Sequence, residues 1–129
     1  MATTEPSRRQ ELSGAAIRAF LRLQEVWALS DKDAQRLLGD LSRTTLHNWR
    51  TNPPQAVSRD TLERISYLLG IFKGLQILIP QKEQADTWIH QQNAAFGDQT
   101  PLERMLAGNI SDLLEVRRYV DHARGGDFA

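Results

Sequence analysis

The sequence predicts an all-α protein, and three observations carry that prediction. The stretch 58–80 (SRDTLERISYLLGIFKGLQILIP) places apolar side chains at helical steps along its whole length. Serine or threonine stands where helices should begin, at Ser30, Ser42, Ser58 and Thr100, each able to accept a hydrogen bond from a first-turn N–H. Runs of β-branched residues, which would read as strands, are few.

The 129 residues suffice for one or two small domains with a buried core. Sixteen basic and sixteen acidic side chains cancel, so a nucleic-acid site has to be a local patch. Without cysteine there is no disulfide framework and no thiolate metal site, and the cytoplasm is the expected location. Arg8 and Arg9 are not followed by an apolar run, so no signal peptide is read there. The apolar run at 75–79 is far too short to span a bilayer.

Taken in order, residues 1–10 (MATTEPSRRQ) are polar, contain Pro6 and read as a frayed, solvated arm, with a minor-groove contact by Arg8 and Arg9 as the rival reading. From Glu11 a helix is expected, with Leu12, Ala16, Phe20, Leu23 and Trp27 on its inner face. Ser30 caps a second helix that carries Asp31 and Asp33 at its positive end and stops at Gly39. Ser42 then caps a third, Arg43 to Arg50, after a turn of about four residues. A short helix, a turn opening with glycine and another short helix is helix-turn-helix spacing.

The third helix should bury Leu46 and Trp49, with Trp49 as a core anchor. Arg43, Thr44, His47, Asn48 and Arg50 then face outward with no acid among them. Arginine can pair with guanine and asparagine with adenine, so these five are the candidate DNA-binding residues. Paired prolines at 53 and 54 break the chain before the central helix. On that helix Leu62, Ile65, Leu69, Phe72, Leu75 and Ile79 form one stripe, and Tyr67, Leu68, Ile71 and Leu78 spread apolar surface round it. It should be about 30 Å long, and Gly70 and Gly74 mark a close approach of another backbone. Beyond Pro80 a short helix at 83–92 turns Trp88 inward, and Thr100-Pro101-Leu102-Glu103 is a capping box with proline at the first helical position. A last helix has Leu113, Val116, Val120 and Ala123 as its stripe and stops at Gly125-Gly126.

The segment LSDKDAQRLLGDLSRTTLHNWR resembles the helix-turn-helix of Xre-type, phage-repressor-like regulators. Trp88, Asn93, Phe96, Gly97, Pro101, Leu102 and Gly108, followed by the final helix, resemble the toxin-binding domain of the MbcA/ParS/Xre antitoxin family. After the arm (1–10), the resemblance implies an Xre-like helix-turn-helix domain with a long central helix (11–80) and a small helical toxin-binding domain (81–129). It implies a partner encoded next door, a RES-domain toxin that degrades NAD, neutralised when the antitoxin's C-terminal end enters its active site. The candidate toxin contacts are therefore Arg117, Arg118, Asp121, Arg124, Gly125, Gly126, Asp127, Phe128 and Ala129. Trp88 and Phe96 are expected to be scaffold. Self-repression and a homodimer on two-fold half-sites follow for operator readers of this kind. The reading helix departs from the pattern in being only weakly basic.

Catalysis is not expected. His47, His90 and His122 have no metal-ligand spacing, no nucleophile motif or phosphate-cradling glycine loop is present, and neither cofactor nor metal is implied. Two alternatives stay open: a stand-alone regulator whose C-terminal half only dimerises, and an adaptor that self-associates through its apolar central helix.

Overall fold

The computed structural model describes residues 4–52 and 56–125, with side chains described from residue 11 onward. The elements are α1 (Thr4–Val26), α2 (Asp31–Leu37), α3 (Arg43–Thr51), α4 (Arg59–Leu78), α5 (Lys82–Thr87), α6 (Pro101–Met105) and α7 (Ile110–Gly125), with single 3-10 turns at Trp88–His90 and Ala94–Phe96. All the elements among the described residues are helical, as expected.

The local start and stop chemistry is where the sequence placed it. Ser30, Ser42 and Ser58 accept from the N–H groups of Asp33, Thr45 and Thr61. Thr100 and Glu103 exchange both bonds of the capping box, with Pro101 leading the helix. Gly39 follows α2 with φ of 93°, and Ile79 is extended ahead of Pro80, as a residue before proline must be.

α1 departs from expectation twice. The backbone of residues 4–10 is helical rather than a frayed arm. Pro6 falls in the first turn, where the missing N–H would have had no intrahelical partner. Leu12, expected inside, is 58% exposed, and Ser13 next to it is fully buried. The reason is at Ser13, whose hydroxyl accepts the buried Val57 N–H at 3.1 Å. The inward stripe therefore runs Ser13, Ile17, Phe20, Gln24, Trp27, with Leu23 beside it.

α4 is covered on two flanks, as its apolar circumference requires. Ser13 meets Val57, and Trp27 meets Phe72 edge-on with ring centroids 6.4 Å apart, so α1 and α4 lie side by side in the same direction. Because burial is shared between flanks, the fully buried apolar stripe is Ile65, Leu68, Ile71 and Leu75, while Leu62, Leu69, Phe72 and Ile79 are half-buried. α7 packs along the other flank. A Cβ on Gly74 would stand 2.7 Å from Val120 Cγ1, and one on Gly70 would overlap the Arg117 guanidinium. In place of the backbone expected to approach the two glycines, the atoms that come close are α7 side chains. Ala123, expected in the buried stripe of α7, is exposed, and Val120 is its last buried residue.

The helix expected over 83–92 is shorter. α5 stops at Thr87, whose hydroxyl donates back to the Glu83 carbonyl at 2.9 Å, and a 3-10 turn follows. Trp88 turns inward as expected and is half-buried against the core; its ring stacks on Tyr119 at 6.0 Å, with Phe96 edge-on to both.

Two arginines, neither singled out by the sequence, join the halves. Arg36 donates to the Leu106 and Ala107 carbonyls at 3.0 and 2.8 Å and pairs with Asp40 at 3.0 Å. Arg64, 9% exposed, pairs with Asp60 and reaches the carbonyls of Leu37 (3.4 Å) and Gly108 (3.1 Å). These carbonyls lie at the ends of α2 and α6, where helices leave acceptors unpaired and the dipole is negative. Gly108, with φ of 98°, has the Arg36 guanidinium 2.5 Å from where a Cβ would sit, so only glycine fits.

Candidate functional site

Two surfaces follow from this fold. The first is α3, set at the end of a closed turn. Gly39 and Asp40 are both left-handed, with φ of 93° and 62°. The Leu41 N–H donates to the Gln35 carbonyl at 3.0 Å, and the Gln35 amide returns a bond to the Leu41 carbonyl at 2.9 Å. Leu46 is buried beneath α3, while Trp49 is only half-buried, so it is not the anchor that its size suggested. Arg43, Thr44, His47 and Asn48 are exposed together on the outer face. That row of donors and acceptors suits phosphates and base edges.

Arg50 differs from the expectation. It is exposed, but its guanidinium donates to both carboxylate oxygens of Asp31 and to Gln24 Oε1 at 3.0 Å. The Gln24 amide in turn donates to Asp31 Oδ1 at 2.9 Å and to the Leu29 carbonyl at 3.1 Å. The Arg50 hydrogen bond, then the one from Gln24, hold the Asp31 carboxyl down at about 2, so it stays charged at neutral pH. Asp31 raises the Arg50 pKa in return. An acid therefore does face α3, reached from a position 19 residues away. Arg50 ties the end of α3 to α1 and α2, leaving Arg43 as the arginine on the face.

The second surface is the outer side of α7. Arg118 and Arg124 are exposed there, and Gly125 ends the helix. Arg117, expected on the same basic face, lies over Gly70 and donates to Asp121 Oδ2 at 3.3 Å, so it and Asp121 are a mutual pair. Gly126, Asp127, Phe128 and Ala129 lie outside the described residues. Trp88 and Phe96 belong to the aromatic cluster under Tyr119, in keeping with scaffold. Arg36 and Arg64 are the positioning residues missed earlier. Arg64 had one signal, a lone charge among Thr61, Ile65 and Leu68 on a helix face that otherwise reads as core.

Among the described residues no three of His, Cys, Asp and Glu are grouped so as to hold a metal ion, and no helix is long and apolar enough to cross a membrane.

Two family models match the chain. The antitoxin Xre-like helix-turn-helix domain covers residues 7–70, and the antitoxin Xre/MbcA/ParS C-terminal toxin-binding domain covers residues 74–126. The chain is also similar to the uncharacterized protein y4oB of Sinorhizobium fredii, 38% identical over 129 residues, covering 95% of this chain and 99% of that protein. No solved structure gives a significant match. The matched modules fall on the two surfaces just described, α3 in the first and α7 in the second, and the chain belongs to the Xre/MbcA/ParS family of type II antitoxins, with a helix-turn-helix domain followed by a toxin-binding domain.

Proposed function

We propose that this antitoxin neutralises a RES-domain, NAD-degrading toxin encoded beside it by seating its C-terminal end in the toxin's active site. As a cytoplasmic homodimer it also represses its own operon through α3. The observation that carries the reading is the order of modules: a helix-turn-helix, then a toxin-binding domain whose last helix ends in exposed Arg124 and Gly125. Cationic side chains are favoured at the negative end of α7, and there they offer charge-assisted hydrogen bonds to acidic groups at the mouth of the toxin's pocket. The role is that of a binding protein, with no reaction of its own. Co-expression with the adjacent reading frame tests it: that product should arrest growth alone and be harmless beside this chain. A product that is harmless alone, or stays toxic beside this chain, sinks the proposal.

For the operator half, Arg43→Ala should cost roughly 1–3 kcal/mol of discrimination between promoter and scrambled DNA. Affinity of the unaltered chain should fall with salt at a log–log slope of about −0.9 per phosphate neutralised. Fluorescence-anisotropy titrations at several salt concentrations read both; a salt-insensitive signal would remove DNA from the account.

A further inference from the structure

Of the large apolar side chains that stand exposed among the described residues, Leu12 (58%) and Val26 (38%) lie inside the helix-turn-helix match. Ile77 (58%) and Tyr119 (38%) lie inside the toxin-binding match, which begins at residue 74, on the last turns of α4. Ile77 has a defined place in the register of α4 against α7. Gly70 leaves a slot on α4 that the Arg117 guanidinium of α7 fills. Seven residues on along an α-helix is the same face to within about 20°. The same seven-residue step carries Gly70 to Ile77 on α4 and Arg117 to Arg124 on α7. At this second level an isoleucine stands where the slot would be, and Ile77 and Arg124 are both exposed.

Tyr119 stands on the opposite flank of α7, against Trp88 and Phe96. The crest between the flanks carries Arg118 and His122, both exposed. α7 is thus a ridge with an apolar shoulder on each side. Lys73, one turn before Ile77, is exposed with Arg118 and Arg124, and the nearby acids are engaged, Asp121 by Arg117, Asp86 by Lys82 and Gln76, and Glu63 by the Tyr67 hydroxyl.

We propose that the toxin grips α7 as a ridge, taking Ile77 of α4 into an apolar pocket whose rim presents an acidic group to Arg124. This rests on the neutralisation reading above and extends the contact surface from the chain's C-terminal end to the end of the central helix. The basic rim selects a partner with an acidic one, and position within the toxin-binding match selects the toxin over a second copy of this chain. Apolar anchors of this kind concentrate interface energy.

The test is calorimetric binding of the full chain to a purified, inactivated product of the adjacent reading frame. Ile77→Ser should bind at least tenfold more weakly, Ile77→Leu within threefold of the unaltered chain, and Leu12→Ser indistinguishably from it. Circular dichroism and melting temperature of the free variants should be unchanged, since the position is exposed. Equal affinity for Ile77→Ser overturns the proposal. So does a loss confined to Leu12→Ser, or loss of self-association in Ile77→Ser with toxin affinity intact. An unaltered chain that does not bind the product overturns the neutralisation reading as well; tight binding that Ile77→Ser leaves intact overturns this surface alone.

Discussion

Trp27→Ala should remove about 3–5 kcal/mol from the stability of the free chain. Trp27 is completely buried at the end of α1. Its ring packs edge-on against Phe72 on α4 at 66°, and its carbonyl accepts from His90 Nε2 at 2.6 Å. Trp27 therefore sits where both halves of the molecule meet, its ring against α4 and its carbonyl bonded to His90, and truncating the ring leaves a cavity. Trp27→Phe should cost much less, about 1–2 kcal/mol. The indole Nε1 is buried with no partner among the described residues, so phenylalanine loses volume and no hydrogen bond. Urea unfolding followed at 222 nm, with unchanged slope, measures both. Equal losses for the two variants would show that ring volume is not what holds this corner. Trp49→Ala, at a half-buried ring, should fall below both the Trp27→Ala loss and the anchor role that its size suggested.

Deletion of residues 125–129 should leave melting temperature and promoter binding within error while weakening toxin binding roughly a hundredfold, about 2.7 kcal/mol. The stability half of this follows from burial: Val120 is the last buried residue of α7, and residues 122–125 are all exposed. The binding half follows from the proposed plugging of the toxin by this end. Growth on co-expression reports the loss in cells, and calorimetry with the inactivated partner gives its size. Full protection by the shortened chain would place the decisive contact elsewhere on α7 or α4.

What could be read in advance was chemistry acting over a few residues. A serine three residues before an N–H, a proline after an extended residue and a glycine at a helix end specify their neighbours directly, and Ser30, Ser42, Ser58, Gly39 and Thr100 all sit as expected. The stripe on α1 held at Phe20, Leu23 and Trp27 and failed at Leu12, because two adjacent stripes fitted the pattern there and only the Val57 N–H, 44 residues away, selects Ser13 over Leu12. Arg50 failed for the same reason: its face is obvious from α3, but its partner Asp31 is on α2. Arg36 reaches carbonyls 70 and 71 residues distant, and backbone acceptors leave no trace in side-chain periodicity. The candidate toxin surface was legible at its basic residues, whereas the pairing of Arg117 with Asp121 over Gly70 required the α4–α7 register.

The boundary between the two matched modules, after residue 70 and before residue 74, falls inside α4, an unbroken helix of 20 residues. There is no linker for evolution to lengthen. One residue inserted there would swing everything downstream by about 100° around the helix axis and shift it by about 1.5 Å, tearing Gly108 away from Arg36. A lineage that exchanges one toxin for another must therefore keep the phase of this rod while altering the side chains displayed on it, so diversity in partners should be written in substitutions and not in insertions.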